Sequence, residues 1–494
     1  MGLFDRFSRK TVTARRIHSP NPHTHMGVRS AGFFSKDVGR LLSGWETDSS
    51  SIDYYLQAEL TELRARSRKM VRSNPYGKRF IATIKSNVVG PVGIGIQAQS
   101  LMGMNLDTSA NDAIEAAFKD WAQNHCDYRG RTNFVDMQNL AISCAGQDGE
   151  FLFRKHHGKS AGAYGYSLEC IDPELLDTRK NTPTRNGQIR LGVEYDASGR
   201  IIQYHFRSRN ADGTYGHQNG YIISAKNIIH GFIAEWPDQS RGAPWMHSSL
   251  ERSKHLEKYE EAAIVKARST AATMAVMRTP AGEQGYEGEE DGGDGITLDA
   301  FEAGTIKDIG NREITNLDSS YPHQMYAAFV KSQLQGIASG LGISYHSLSN
   351  DLEGVNYSSI RSGVLEDREV YKGLQSWFIR SFMRPVYEEW LSYAYMSGAI
   401  KINTRPLARP IQQYMPAHFQ ARRWAWVDPL KDGNANKLAI DYRLKSHSQV
   451  MREQGDDPDS VWREIARDQD MMKQLGIAPI ASPDQPETEE LPDD

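Results

Sequence analysis

The sequence predicts an α+β chain that turns mainly helical past its middle, and three observations carry that prediction. Helical periodicity runs from Ile52 to Ile84. β signals dominate from Glu150 to Ile233. After Pro244 the apolar spacing changes to three and four residues.

Each element follows from its own residues. Ser51-Ile52-Asp53 can cap a first helix, and Asn74-Pro75 should break or kink it. Val88 to Gln99 reads as a strand with glycines at 90, 93 and 95. Ala110–Asn124 and Asn133–Ala145 are amphipathic at helical spacing. Leu191–Tyr195, the turn Asp196-Ala197-Ser198-Gly199 and Ile201–Phe206 form a strong hairpin signal. Ile222-Ile223 and Ile228-Ile229 bracket another strand pair. From Pro244 to Arg278 the residues Leu256, Tyr259, Ala263, Ala267, Ala271, Met274 and Met277 lie on one stripe. A single helix over that span would be roughly 50 Å long. A short β-like stretch covers Gly304–Ile309, and a second helix runs from about Pro322 to Gly340. Between the two helices lies a polar excursion able to project from the body. Ser344–Tyr357 reads as a loop, and a third helix covers Ser358–Met383, is interrupted at Pro385 and resumes to Gly398. Residues 404–430 are irregular. Leu430–Leu475 is helical and broken at Gly455-Asp456-Asp457-Pro458.

Composition bounds the class. The chain has 494 residues, 55.5 kDa and a mean hydropathy of −0.59. That length corresponds to about three structural units. No window approaches the roughly 18 uninterrupted apolar residues of a membrane helix. Met1–Arg6 lacks the apolar segment of a secretory signal and does not fit a myristoylation motif. A soluble intracellular protein, or one assembled inside a cell, is the expectation. Net charge of −4 excludes a body that coats nucleic acid by bulk basicity. The three cysteines, Cys126, Cys144 and Cys170, form no C-x-x-C pair and suit a reducing compartment.

Charge is unevenly placed. Residues 1–40 hold eight Lys/Arg against two Asp and read as a basic, poorly ordered arm. Residues 281–300 hold seven acids and no base, among them Glu283, Glu287, Glu289, Glu290 and Asp291. The last fourteen residues hold six acids and no base. A basic run, Arg64, Arg66, Arg68, Lys69 and Arg72, lies on the first helix. It could meet phosphates, or be solvated or paired with acidic neighbours.

Catalytic motifs fail on inspection. Gly158-Lys159-Ser160 resembles the end of a phosphate-binding loop, but Phe153 stands where its first glycine belongs. Gly93-Ile94-Gly95-Ile96-Gln97-Ala98 has a dinucleotide-like spacing with no helix opening after it. No H-E-x-x-H and no acid two residues before any lysine occurs, and the serines near His205 and His230 form no G-x-S-x-G elbow. His23, His25, His156 and His157 lack partners at metal-ligand spacing. The chain is therefore expected not to be an enzyme, with no cofactor and no metal.

Five blocks in order carry a resemblance. They are Leu63–Arg68 with Arg72–Tyr76 and Asn87–Gly90; Trp121, Cys126-Asp127, Gly130, Asn133-Phe134, Gln138 and Asp148-Gly149-Glu150; Gly192–Asp196, Gly199-Arg200 and His230; Gln239–Trp245; and Ile337–Tyr345, Leu348-Ser349, Asp351 and Asn356–Arg361. With these the sequence resembles the portal proteins of lambda-type tailed bacteriophages, from about Gly44 to Leu475. Ser73 and the extended acidic loop at 283–294 depart from that family's pattern.

The resemblance implies a portal fold assembled as a ring, typically of twelve subunits, at one capsid vertex. Its parts would be an α/β wing at 51–243, a long stem helix at 244–279, a protruding clip at 280–321, a second stem helix at 322–342 and a tunnel loop at 343–357. Inner-wing helices at 358–430 and a helical C-terminal crown at 431–480 would follow, with the arm at 1–50 and an acidic tail at 481–494. Double-stranded DNA would pass through the channel in packaging and ejection. The terminase large subunit and head-completion or adaptor proteins would dock on the ring, and major capsid and scaffold proteins would meet it. Assembly in the host cytoplasm and residence in the virion are implied, with no membrane partner. Ser349, Asn350, Asp351, Asn356 and Tyr357 are the expected channel residues. Glu283, Glu287, Glu289, Glu290 and Asp291 are the expected docking residues, and Arg64, Arg66 and Arg68 the possible phosphate contacts. The alternative is a monomeric or small-oligomer DNA-binding scaffold without a channel. A nuclease would need a carboxylate or metal site that the sequence does not offer.

Overall fold

Asn74-Pro75 divides the first helical run as its chemistry requires. The computed structural model has helices Ile52–Ser73 and Pro75–Val88, with Asn74 between them. The Asn74 side chain accepts hydrogen bonds from the backbone N–H groups of Tyr76 and Gly77, and proline takes the first helical position, where no N–H is needed. Ser51 holds the N-cap position of the first helix but makes no side-chain cap bond. The structure describes residues 50–103, 105–272, 276–278, 313–315, 325–353, 357–403, 405–424, 429–454 and 457–476. The expected basic arm, the acidic loop, the Gly304–Ile309 stretch and the acidic tail lie outside them.

The strand expected over Val88–Gln99 is shorter, Gly95–Ala98, because Val88 completes the preceding helix. It pairs antiparallel with Ala417–Gln420, which ties the N-terminal region to residues more than 300 positions away. Helices Thr108–Asp120 and Phe134–Asp148 follow, each capped by a side chain, from Asp107 and Asn133 respectively. The β region forms two antiparallel sheets. Glu150–His157 is central in one, between Ile228–Phe232 and Tyr166–Ile171. The other is a five-stranded meander in the order Tyr215–Ser224, Ile201–Arg209, Val193–Asp196, Gly187–Arg190 and Thr182–Thr184. The expected hairpin is present in it. Ile222-Ile223 and Ile228-Ile229 do not pair with each other. Ala225–Asn227 makes a 3-10 turn that carries the chain from one sheet to the next.

The helix expected over Pro244–Arg278 spans Leu250–Ala272. Its start is delayed because Trp245 N–H donates to Gly146 O at 3.1 Å and His247 N–H to Pro244 O at 2.9 Å, which folds the chain into turns. At 23 residues it is about 35 Å long. Helix Tyr326–Leu341 runs antiparallel to it. Ser249 Oγ donates to Ile337 O at 3.1 Å at one end, and Tyr259 meets Tyr326 and Phe329 at ring distances of 5.8 and 4.7 Å towards the other. Gly336 and Gly340 allow the approach. A Cβ on Gly336 would sit inside the Arg252 guanidinium, and one on Gly340 would lie 2.3 Å from Ser249 Oγ. Beyond the far ends of these helices Val276–Arg278 pairs antiparallel with Glu313–Thr315.

Helix Tyr357–Phe378 passes through a wide turn at Ile379–Met383 into helix Arg384–Met396, so Pro385 sits in a first turn and costs no bond. These helices supply Phe378, Phe382, Tyr387 and Trp390 to the main core, opposite Phe118, Trp121, Phe134, Phe151 and Phe153. Phe118 and Trp390 meet edge to face at 4.9 Å. A smaller core of Leu152, Leu176, Val193, Tyr204, Phe206 and Ile223 joins the two sheets. The C-terminal helices are Pro429–Asp441, His447–Gln454 and Pro458–Gln474, with one more break than expected, at 442–446. Among the described residues no helix is long and apolar enough to cross a membrane.

Candidate functional site

Two constellations draw on the sequence blocks. The first is centred on Glu150, which opens the central strand of the three-stranded sheet and is fully buried. Arg64 Nη2 donates to its Oε1 at 2.7 Å, and Arg241 Nε donates to Oε1 at 2.8 Å. The Gly242 N–H donates to Oε2 at 2.9 Å, and His230 Nε2 lies 3.1 Å from the same oxygen. Burial works to raise the Glu150 pKa. Arg241, Arg64 and His230 outweigh it and hold the carboxyl well below its usual range.

Both guanidinium groups also donate to backbone carbonyls. Arg64 Nε donates to Asp148 O at 2.9 Å, and Arg241 Nη1 donates to Leu191 O at 2.8 Å. Around this centre lies a second ring of charge. Arg68 Nε donates to Asp148 Oδ1 and Arg68 Nη2 to Asp172 Oδ1, both at 2.6 Å. Tyr215 and Arg207 add bonds to Asp172 and Glu174. Four of the five blocks therefore meet at one buried carboxylate: the Leu63–Arg68 helix, the Asp148–Glu150 turn, His230 and Arg241-Gly242. Gly149 lets them close. It caps the helix at φ +89°, and a Cβ there would lie 2.3 Å from the Ala243 carbonyl carbon.

The second constellation is the segment after Leu341. Gly342 ends the helix in the left-handed region, and Ser344 caps a short helix, Tyr345–Ser349, inside what reads as a plain loop. Asp367, buried on helix Tyr357–Phe378, anchors it. It accepts from Ser344 N–H at 2.8 Å, Ser344 Oγ at 2.7 Å and Ser347 Oγ at 2.6 Å. Asn350 takes a left-handed conformation at φ +59°. Asp351 Oδ2 accepts from Tyr345 Oη at 2.7 Å, and that bond with the Glu353 N–H lowers its pKa.

The expected site residues fall as follows. Ser349, Asn350 and Asp351 lie together in this knot, with Ser349 Oγ donating back to Tyr345 O. Tyr357 begins the helix that carries Asp367. Asn356 and the acids Glu283, Glu287, Glu289, Glu290 and Asp291 lie outside the described residues. Of the three arginines, Arg64 is buried with each guanidinium nitrogen bonded inside the protein, so phosphate contact is closed to it in this fold. Arg68 is committed to Asp148 and Asp172. Arg66 is exposed, at 64%, and pairs with Glu62 one turn earlier. Glu150, His230 and Arg241 stand inside the sequence blocks, but the pattern alone assigns them no role. The available signal was a carboxylate directly before Phe151-Leu152-Phe153, an apolar run that must be buried. Asp367 sits on an ordinary helical face in sequence and gave no signal.

The charged groups of the Glu150 cluster join distant parts of one chain. The chain belongs to the lambda family of phage portal proteins, whose family profile matches residues 38–375. It is 31% identical over 491 residues to the probable portal protein of Halomonas phage phiHAP-1, covering 97% of this chain and 94% of that one. It is 23% identical to portal protein B of Escherichia phage lambda, covering 96% and 95%. The portal protein of Escherichia phage N15 is also 23% identical, over 90% of each chain. Among solved structures it loosely resembles a chain in the neck of an empty gene transfer agent particle, with a TM-score of 0.42 and 12% identity over 80% of this chain and 94% of that one.

Proposed function

We propose that the chain forms a closed ring, of twelve subunits by the family's habit, through which double-stranded DNA is packaged and ejected at one vertex of the capsid. The observation that carries the reading furthest is the antiparallel helix pair Leu250–Ala272 and Tyr326–Leu341 in a chain of this family. The chain leaves and returns at the same end of that pair, through the strands Val276–Arg278 and Glu313–Thr315. In this reading the pair is the stem, residues 280–321 are the clip, and the clip's acids meet the terminase motor and later the head-completion proteins. The α/β region 51–243 is the wing, 358–430 the inner wing and 431–480 the crown. Residues 343–357 are the tunnel loop.

A channel that passes DNA must not grip it. A net charge of −4, with Arg64 and Arg68 taken up internally, supports sliding over binding. The role is structural, and chemical energy comes from the partner motor. Assembly proceeds in the host cytoplasm with capsid and scaffold proteins.

Deleting residues 283–294 tests the clip. Rings should still form while motor or connector docking weakens, and loss of the ring itself would refute the placement. Replacing Asn356 and Tyr357 by alanine should impair packaging more than assembly. Normal packaging would sink the tunnel-loop assignment.

A further inference from the structure

Arg68 holds the ends of a helix and a strand together. Its Nη2 donates to Asp148 Oδ2 at 3.1 Å and to Asp172 Oδ1 at 2.6 Å. Asp148 is the last residue of helix Phe134–Asp148, and Asp172 directly follows strand Tyr166–Ile171. The helix turns back at Gly149 into strand Glu150–His157, which pairs antiparallel with Tyr166–Ile171. Helix and strand therefore run in the same direction, clamped at one end by a single guanidinium.

That geometry sets two cysteines level. One helical turn before Asp148, about 6 Å back along the axis, is Cys144. Two residues before Asp172, about 7 Å back and on the same strand face, is Cys170. The two thiols meet as hydrogen-bonded neighbours. Both line one cavity of about 490 Å³, and both pack on the main core. Neither is fully buried. Leu140, Arg72, Arg129 and Arg131 also line the cavity and are exposed, so the space opens to solvent. Cys126 differs: it is buried, and its Sγ donates to Ala122 O at 3.2 Å.

We propose that Cys144 and Cys170 form an oxidisable pair, closed to a disulfide by a low-molecular-weight disulfide such as glutathione disulfide. The sulfurs have distinct tasks. The bond to Cys170, and then burial, hold the Cys144 thiol in its protonated form. Cys144 is thus the donor of the pair, and Cys170 is the sulfur that attacks. Cys170 loses its proton and attacks one sulfur of glutathione disulfide, giving a mixed disulfide and one glutathione thiolate, which takes up that proton. Cys144 then attacks the Cys170 sulfur and expels the second glutathione, which leaves with the Cys144 proton. The protein gives up two electrons and two hydrogens, and glutathione disulfide becomes two glutathiones. The new bond ties helix Phe134–Asp148 to strand Tyr166–Ile171 beside Arg68, so a clamp made by charge gains a covalent partner that salt does not screen.

The test equilibrates the full-length protein in glutathione buffers of rising oxidised fraction. Samples are acid-quenched, alkylated under denaturing conditions, digested and mapped by mass spectrometry. The expected product is one Cys144–Cys170 linked peptide pair, lighter by two hydrogens than the reduced peptides, with Cys126 alkylated throughout. Cys144→Ser should trap Cys170 as a lasting mixed disulfide with glutathione, whereas Cys170→Ser should leave Cys144 unmodified. Cys126→Ser should close as the parent does. The closed form should melt a few degrees above the reduced form, because the link removes freedom from the unfolded chain. Full alkylation of Cys144 and Cys170 in the most oxidising buffer would overturn the proposal. So would a glutathione adduct that persists in the parent, since it would show that the sulfurs cannot meet. Exchanged behaviour of the two serine variants would overturn the order of attack, and equal melting of the two forms would overturn the clamp. None of these outcomes depends on ring formation or DNA passage.

Discussion

Glu150 stays ionised without solvent because two guanidinium groups, an imidazole and a backbone N–H surround it. Removing it would leave Arg64 and Arg241 buried and uncompensated. Glu150→Ala is therefore expected to destabilise the fold by about 3–5 kcal/mol, read as a lowered denaturation midpoint of the unassembled chain. A midpoint equal to that of the parent would contradict the role given to the cluster. The sign of its pH dependence follows from the depressed folded pKa. The stabilisation is present above the ordinary value of 4.5 and is lost as pH falls through the folded value. Acid should thus weaken the parent below about pH 4.5, and Glu150→Gln should respond less over the same range. Gly149 and Gly130 give a paired comparison, at φ +89° and +63°. A Cβ on Gly130 meets nothing within 4 Å, whereas one on Gly149 strikes the Ala243 backbone. Gly130→Ala should cost only the left-handed backbone term, about 1–2 kcal/mol. Gly149→Ala should cost clearly more, and equal losses in thermal midpoint would contradict the packing described.

At the scale of elements, the sequence was most legible where local chemistry decides. Asn74-Pro75 announces both the end of one helix and the cap of the next, and the Asp196–Gly199 turn announces its hairpin. It was least legible where a distant partner decides. The β-branched pairs Ile222-Ile223 and Ile228-Ile229 mark strands, but nothing local says that they belong to different sheets. The helix start at Leu250 instead of Pro244 depends on a bond from Trp245 to Gly146, about a hundred residues earlier. Basic residues on a helix face look alike whether they meet water, phosphate or a buried acid, so Arg64 and Arg66 could not be told apart by sequence. The segment 344–351 reads as a loop because its order comes from Asp367 on another helix. Asp367→Asn keeps one acceptor oxygen and loses the charge. It should cost about 2 kcal/mol and speed amide hydrogen exchange across residues 344–351 ahead of the neighbouring helices. Unchanged exchange there would show that the anchor is not what orders the segment.

At the scale of the whole molecule, an α/β region is joined to an antiparallel helix pair. The Glu150 cluster fixes the first helix, both sheets and the turn before Leu250 to one another, so the direction of the helix pair is set by the α/β region. Apolar side chains along that pair stay uncovered in the single chain, Ile264 and Val265 on one helix and Met325 and Phe329 beside the other. Neighbouring subunits of a closed ring would cover such a face. Replacing Ile264 and Val265 by glutamate should shift the protein toward smaller species while the single chain keeps its thermal transition. Rings forming as readily as in the parent would contradict that contact. The most direct test of the central claim is the native mass of the purified protein, with negative-stain images and with capsid and scaffold proteins supplied. The account predicts closed particles with a central hole, near twelve times 55.5 kDa. A chain that stays monomeric with those partners present would contradict it.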